Sequence, residues 1–153
     1  MADDRTFMMG KFPAVLPATL RYARNHMWAR REGTAWRFGF TSYAIRLMQD
    51  VYFLDWQVSA DDTVELVQQI GHIETSKAVS DLFAPIAGKV MAFNAALLDD
   101  PSGINVDGYG NGWLFEMSCA GETLLDVDGY YQHLDENWEK TQRVIKGKIN
   151  ADD

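Results

Sequence analysis

The sequence predicts a mainly β domain with one short internal helix and a longer helix at its C-terminal end. Three observations lead to this fold class. Short segments rich in β-branched and aromatic residues recur between turn residues, as in sandwiches and barrels. A segment after Thr41 has the signature of a short capped helix. The C-terminal segment repeats apolar residues at helical spacing over several turns.

The N-terminal part changes from an irregular segment to a strand and then to a helix. Residues 1–19 contain prolines and show little periodicity, so we expect a tail or a segment that wraps around the domain. Residues 36–40 alternate apolar residues with small or polar ones, which predicts a strand. The Thr41 hydroxyl can accept an orphan backbone N–H and cap a helix from residue 42 to about residue 48.

Four further segments have the composition of strands. They are residues 51–56, residues 65–70 continued by 72–73, residues 88–93, and residues 113–117. The last segment would place Trp113, Phe115 and Met117 on one face, because side chains alternate along a strand. Short strands of this kind, separated by turns, indicate two packed sheets or a barrel.

The segment from residue 121 to residue 153 predicts an amphipathic helix and tail packed on the β domain. Its apolar residues recur at helical spacing; they are Val127, Tyr130, Tyr131, Leu134, Trp138 and Ile145. This stripe covers an open side of a sheet or forms a docking surface for a partner. We favour the covering role, because most apolar helix stripes face a core.

Composition restricts the class of protein. The chain has 153 residues and a net charge of −8, so it lacks the basic surface that nonspecific nucleic-acid binding needs. Its 47% hydrophobic content is that of a globular domain. One cysteine, Cys119, rules out an intrachain disulfide, and we expect it to act as a small apolar residue. No apolar run suggests a membrane span or a signal peptide, which predicts a cytoplasmic protein.

The most informative feature is one lysine between two predicted strands. Lys77 lies in the run Glu74-Thr75-Ser76-Lys77-Ala78-Val79-Ser80-Asp81, whose residues are mostly small or polar. We therefore expect Lys77 at an exposed turn, where a modifying enzyme can reach its amine without unfolding the chain. Glu74, Ser76, Ala78 and Asp81 are the candidate residues for recognition by that enzyme.

This run resembles the lipoyl-attachment hairpin of the glycine cleavage system H-protein family, which reads roughly Glu-Ser-Val-Lys-Ala-x-Ser-Asp. Five other blocks of the family pattern appear in the same order along the chain. They are residues 22–28, residues 39–44, residues 49–51, residues 85–90 with Asn94, and residues 107–113. Flanking methionines, typical of a biotin carrier, are absent on both sides of Lys77.

The resemblance implies a lipoyl-domain-like flattened barrel or sandwich of two sheets, with residues 20–120 as the carrier domain. It also implies lipoate joined to Lys77 through an amide bond and no catalytic residues. The sequence itself offers no Cys/His cluster, so we expect no metal site. The expected partners are a lipoate ligase or lipoyltransferase, dihydrolipoyl dehydrogenase, and the enzymes that load and unload the arm.

Departures from the family pattern lead us to favour one branch of it. Met27 stands where the family has an acidic residue, Ser76 replaces a hydrophobic residue before the lysine, and Gly108 replaces a proline. We interpret the chain as an H-like lipoate-binding protein of bacterial sulfur oxidation. Its arm would carry a sulfur intermediate to a heterodisulfide-reductase-like complex. Met27 would then leave the arm without a carboxylate to hold a cationic aminomethyl group.

Two alternatives stay open from the sequence. One is a glycine cleavage H protein, which carries the aminomethyl group during glycine decarboxylation. The other belongs to a different class: a binding module of the same fold in which Lys77 stays unmodified.

Overall fold

The chain forms two main sheets, a separate hairpin and four helices within the described residues. A computed structural model describes the backbone of residues 3–152 and the side chains of residues 3–143. The elements are β1 (Arg5–Met9), β2 (Phe12–Leu16), β3 (Arg21–Tyr22), β4 (Met27–Glu32), β5 (Ala35–Phe40), α1 (Ser42–Met48), β6 (Val51–Trp56), β7 (Thr63–Val64), β8 (Gln69–Thr75), β9 (Val79–Phe83), β10 (Gly88–Phe93), α2 (Ala95–Asp99), α3 (Gly103–Val106), β11 (Phe115–Ser118) and α4 (Val127–Asp152).

The predicted fold class is confirmed as a flattened sandwich rather than a closed barrel. One sheet has six strands in the order β3-β4-β5-β11-β10-β7, and the other has three in the order β6-β8-β9. Their facing side chains form one buried cluster. Trp56 of β6 crosses this interface, with its ring centroid 5.4 Å from that of Phe115 and 5.1 Å from that of Phe93. These contacts join the small sheet to the large one.

Most predicted elements match the structure, and the Thr41 cap does so in detail. Helix α1 begins after Thr41, whose hydroxyl accepts the N–H of Ala44 at 3.2 Å. The strands predicted over residues 51–56 and 88–93 are β6 and β10. The last predicted strand begins two residues late, at Phe115, after Leu114 N–H has bonded to Phe38 O.

One predicted strand is partly wrong. The segment over residues 65–70 was expected to be extended, but β8 begins only at Gln69 and the preceding residues form a turn. Within this turn Gln68 N–H donates to Glu65 O, and Val67 has a φ of 57°. Leu66 and Val67 are both exposed, so the turn leaves their apolar side chains outside the core. The apolar composition of this segment therefore did not produce a strand, because its side chains do not pack into the core.

The N-terminal segment forms an antiparallel hairpin, β1–β2, which the sequence patterns did not predict as strands. Its alternate residues Phe7, Met9, Ala14 and Leu16 are buried in a second apolar cluster. Helix α4 supplies the other side of this cluster, and its buried residues are Val127, Tyr130 and Leu134, three of those in the predicted stripe. The helix therefore covers apolar surface, as the favoured interpretation expected, although the side chain of Ile145 lies outside the described residues.

Aromatic rings hold the hairpin, α1 and α4 together. The Phe7 ring makes edge contacts with Tyr43, Tyr131 and Trp138 at centroid distances of 5.9, 5.5 and 5.6 Å. Such pairs contribute about 0.5–1.5 kcal/mol each beyond the burial of their area. The hairpin is therefore a packed part of the fold.

No described helix combines the length and apolarity that a bilayer crossing would require.

A chain of polar side chains leads from this second cluster towards the surface. The Tyr130 hydroxyl is 2.9 Å from His26 Nδ1 and 3.0 Å from Thr41 Oγ1. The His26 ring also lies 5.7 Å from that of His133, whose Nε2 is 3.1 Å from Arg24 O. Burial, and to a lesser extent the charge of His133, lowers the pKa of His26 to about 4. His26 therefore stays neutral at neutral pH.

We expect acid to weaken the fold through His26. Its pKa is 6.5 in the unfolded chain and about 4 in the folded protein. The unfolded state therefore takes up the proton first, and stability falls as the pH drops from about 6.5 towards 4. A shift of this size corresponds to about 3 kcal/mol in the free energy of unfolding. Urea unfolding across this pH range measures the loss.

The matched control for this pH effect is His26→Asn. His26 has a φ of 73°, a conformation that asparagine tolerates better than most residues. The variant should be less stable at pH 7 but should lose less stability on acidification than the wild type. Parallel stability curves for the two proteins would show that His26 does not control the response.

Candidate functional site

The β8–β9 hairpin presents Lys77 at its tip. In the register of this hairpin Ile73 faces Ser80 and Glu74 faces Val79, so the strands pair up to the turn. Ile73 and the β9 residue Leu82 point into the core between the sheets. Lys77 itself is exposed. The buried side chains of the hairpin thus fix its base, while its tip with the lysine stands in solvent.

The hydroxyl of Thr75 holds the turn in shape. Thr75 Oγ1 accepts the N–H groups of Lys77 and Ala78 at 3.2 and 3.3 Å. The backbone N–H of Thr75 donates to Ala78 O at 2.9 Å, which closes the hairpin. A threonine side chain often stabilises a turn through backbone bonds of this kind. Glycine is therefore not needed at the turn, and the lysine backbone is held on both sides.

Ser76 attaches the turn to the segment between α1 and β6. Its backbone N–H donates to Asp50 O at 2.9 Å, and its side-chain oxygen accepts the Asp50 N–H at 3.2 Å. The residues beside Asp50 are held in turn by Asn105. Its amide donates to Gln49 O at 2.7 Å and its carbonyl accepts the Val51 N–H at 2.9 Å. The residue before the lysine is therefore connected through Asp50 to the body of the domain.

The outer face of the three-stranded sheet is acidic around this turn. Glu74 and Asp81 are exposed, and Asp81 accepts a hydrogen bond from the Gln69 amide at 3.1 Å. Between them in the sheet, His72 Nδ1 lies 3.8 Å from Asp55 Oδ2. The Phe53 ring lies 5.5 Å from the His72 ring on the same face. A partner would meet carboxylates mixed with apolar side chains here.

The structure brings the five predicted site residues together on one hairpin. Lys77 is at the tip with Ser76 and Ala78 beside it, and Glu74 and Asp81 lie on the strands. Sequence reasoning missed Asp50 and Asn105, which support the turn from 26 residues and 29 residues away in the sequence. No local sequence pattern predicts such supports, because they depend on how the two sheets pack.

Comparison with known proteins places the chain in a family. The profile of the family described as "Glycine cleavage H-protein" matches residues 20–137. The chain belongs to this family. A glycine cleavage system H protein of Shewanella frigidimarina is 38% identical over 128 residues, which cover 80% of this chain and 98% of the relative. One from Bacteroides fragilis is 39% identical over 118 residues, covering 74% and 93% respectively.

A solved structure agrees with the sequence comparison. The crystal structure of a glycine cleavage system H protein from Mycobacterium marinum superposes with a TM-score of 0.68 at 32% identity. It covers 80% of this chain and 98% of that one. Proteins of this family are lipoyl carriers without catalytic activity of their own. The hairpin β1–β2 and the part of α4 after residue 137 lie outside the range that the family profile matches.

The expected effect of Met27 is not supported by its position. Met27 is 1% exposed and packs in the core cluster between the sheets. A side chain in this place does not face solvent, where a mobile arm would move. The difference between methionine and an acidic residue here concerns core packing, and it no longer argues against glycine cleavage.

Cys119 is half-buried beside the core, as expected for a small apolar residue. Burial, followed by smaller effects from its neighbours, raises the pKa of its thiol. The thiolate is the reactive form of cysteine, so a raised pKa reduces its reactivity.

Proposed function

We propose that this protein is the lipoyl carrier of a glycine cleavage system, with lipoate joined to Lys77 through an amide bond. The observation that carries the proposal is an exposed lysine at the tip of a firmly anchored hairpin, in a chain of this family. The relatives that match it are named as glycine cleavage system H proteins. These comparisons favour the aminomethyl carrier over the sulfur carrier that the sequence analysis preferred.

The residues around Lys77 fit a lipoyl group. Ser76 and Ala78 are small, so they leave space around the amine. Acylation removes the positive charge of the lysine, and an exposed side chain loses little by this change. When attached, the lipoyl group supplies the thiol–disulfide chemistry on which a fragment is carried. The protein contributes a fixed base for the arm and surfaces for successive enzymes.

The proposed partners follow from this role. A lipoate ligase or lipoyltransferase attaches the cofactor, and the decarboxylase, the aminomethyltransferase and dihydrolipoyl dehydrogenase use it in turn. Glu74 and Asp81 guide the attaching enzyme by charge, whereas Ser76 and Ala78 let it approach the lysine closely. The expected cytoplasmic location stays a prediction.

Lys77→Arg should prevent lipoylation. An arginine keeps the positive charge but offers no amine for amide formation. Incubation with lipoate ligase, ATP and lipoate, followed by intact-mass measurement, should show one adduct on the wild type and none on the variant. Lys89→Arg is the matched control, because Lys89 is also exposed and lies in a strand; it should be modified like the wild type.

A full adduct on Lys77→Arg would refute the assignment of the site. Protein isolated from its native host addresses the remaining alternative class. An unmodified mass in cells that lipoylate their other carriers would indicate a binding module with a bare Lys77.

Glu74→Gln and Asp81→Asn should each slow lipoylation by several-fold. Neutralising an exposed charge at a docking surface mainly reduces the association rate, so the effect should shrink at high salt. Thermal stability should stay within about 0.5 kcal/mol, since both residues are exposed. Glu122→Gln is the control, because Glu122 is exposed and lies outside the hairpin. Equal rates in all four proteins would mean that the two carboxylates are only solvated surface charges.

The sulfur-oxidation carrier is the second candidate function. The observation that favours it is the pair of segments outside the matched range, β1–β2 and the end of α4. Strands β1 and β2 pack in the second apolar cluster with α1 and with α4 residues of the matched range, and Trp138 adds a partly buried ring from beyond that range. A carrier that serves a different complex would need such a changed surface.

The lipoylated protein should support glycine cleavage. With glycine decarboxylase, exchange of bicarbonate carbon into glycine should reach a rate within about tenfold of a conventional H protein, a difference of about 1.4 kcal/mol in barrier or binding free energy. The Mycobacterium marinum protein is a suitable reference because its structure superposes on this chain. Exchange less than about a hundredth of the reference, by fully lipoylated protein, would favour the sulfur carrier instead.

A further inference from the structure

Strand β9 is an open edge next to Lys77. It is the last strand in the order β6-β8-β9. At one end Ala78 O accepts the Thr75 N–H at 2.9 Å, and at the other end the Ala84 N–H donates to Gln68 O at 2.8 Å. Residues 78 and 84 therefore both turn their backbone groups towards β8 and the turn that precedes it. These two bonds fix the direction of every backbone group between them, because the directions alternate along a strand.

By this alternation the N–H and C=O groups of Val79, Asp81 and Phe83 point away from β8. The Asn25 amide confirms the direction at one end, because it donates to Phe83 O at 3.0 Å from outside the sheet. In the described part of the chain no strand lies beyond Val79 and Asp81. Their backbone groups are thus available to pair with another strand.

The side chains of this edge form an apolar–acidic–apolar stripe. Val79 is 67% exposed and Phe83 is 41% exposed, and the exposed Asp81 lies between them on the same face. Glu74 faces Val79 across the hairpin and adds a second carboxylate. An incoming strand would find main-chain groups to pair with, apolar side chains to cover, and negative charge at its centre.

We propose that β9 is the docking strand for the enzyme that acylates Lys77, which adds an extended segment of its own to this edge. The segment would carry a basic side chain opposite Asp81 and apolar side chains opposite Val79 and Phe83. This inference rests on the proposed function, since it names how the partner that modifies Lys77 binds. Val79 is two residues from the lysine, so strand pairing here brings the partner next to the amine.

Charge selects this occupant over a second copy of the chain. Pairing two β9 edges would bring Asp81 of each copy to the same acidic surface, and like charges across a strand pair are destabilising. The net charge of −8 adds to this repulsion. A basic segment gains from the same carboxylates.

Amide hydrogen exchange tests the strand pairing directly. Isotope-labelled Lys77→Arg protein, which cannot accept the acyl group, is mixed with lipoate ligase carrying lipoyl-adenylate. The amides of Val79 and Asp81 should exchange at least about tenfold more slowly in the complex. Those of Ser80 and Leu82 point to β8 and should keep their rates. Unchanged exchange at Val79 and Asp81 in the saturated complex would overturn the proposal.

A proline tests the same edge in the wild-type background. Val79→Pro removes one outward N–H and keeps an apolar side chain, and proline is tolerated on edge strands. Val79→Ile is the matched control, which keeps both the N–H and an apolar side chain. The proline variant should raise the KM for lipoylation about five- to tenfold with an unchanged kcat, the loss expected from one hydrogen bond. The isoleucine variant should stay within about twofold of the wild type.

The outcomes separate this inference from the function on which it rests. If the wild type receives no adduct at all, the lipoyl-carrier function fails. If the adduct forms normally, but exchange is unchanged and both variants behave alike, only the docking strand fails. Asp81 would then serve as a charge that keeps the open edge from pairing.

Discussion

The packing of the three-stranded sheet on the six-stranded sheet is the constraint on which the carrier hairpin depends. Trp56 makes this contact with Phe115 and Phe93 at centroid distances near van der Waals contact. Ile73 and Leu82 extend the same core beneath the hairpin. Because side chains alternate along β8 and β9, burying one set turns the other set outward. The acidic face and the exposed lysine are therefore consequences of core packing as much as of local sequence.

A rigid hairpin base matters for delivery of the arm to a partner, because the flexible lysine side chain already provides the motion that reaches it. In the proposed lipoyl carrier, the four carbons of the lysine stem, lengthened by an acyl group, would sweep a large volume whatever the backbone does. A moving base would add further disorder and lower the chance that the arm meets a partner site. Thr75 and Ser76 prevent this with bonds to the turn and to Asp50. Ser76 thus gives a physical meaning to one departure from the family pattern: its side-chain oxygen adds a hydrogen bond from the Asp50 N–H, which a hydrophobic residue could not accept.

The sequence predicted those features whose cause is local. The cap at Thr41 and the strand of β6 depend on neighbouring residues, and both lie where they were expected. The hairpin β1–β2 was missed because Pro13 suggested irregular chain, yet the strand containing it pairs only with β1, where a missing N–H is tolerated. The apolar runs over residues 7–9 and 12–16 were the signal available for it. The supports at Asp50 and Asn105 could not be read from the sequence, since they exist only once the sheets have packed.

Exposure creates a conflict at this site, and the position of Asp81 addresses it. A lysine must stand clear of the domain for an enzyme to reach it. Here the strand that follows the lysine, β9, is also the open edge of its sheet. Open edges with apolar side chains such as Val79 and Phe83 also invite pairing with the wrong chains. A carboxylate in the middle of the strand discourages another copy of this acidic protein and leaves the edge open to basic segments. In the docking arrangement that we propose, one charge would therefore contribute to solubility and to the choice of partner, because both depend on what approaches the same edge.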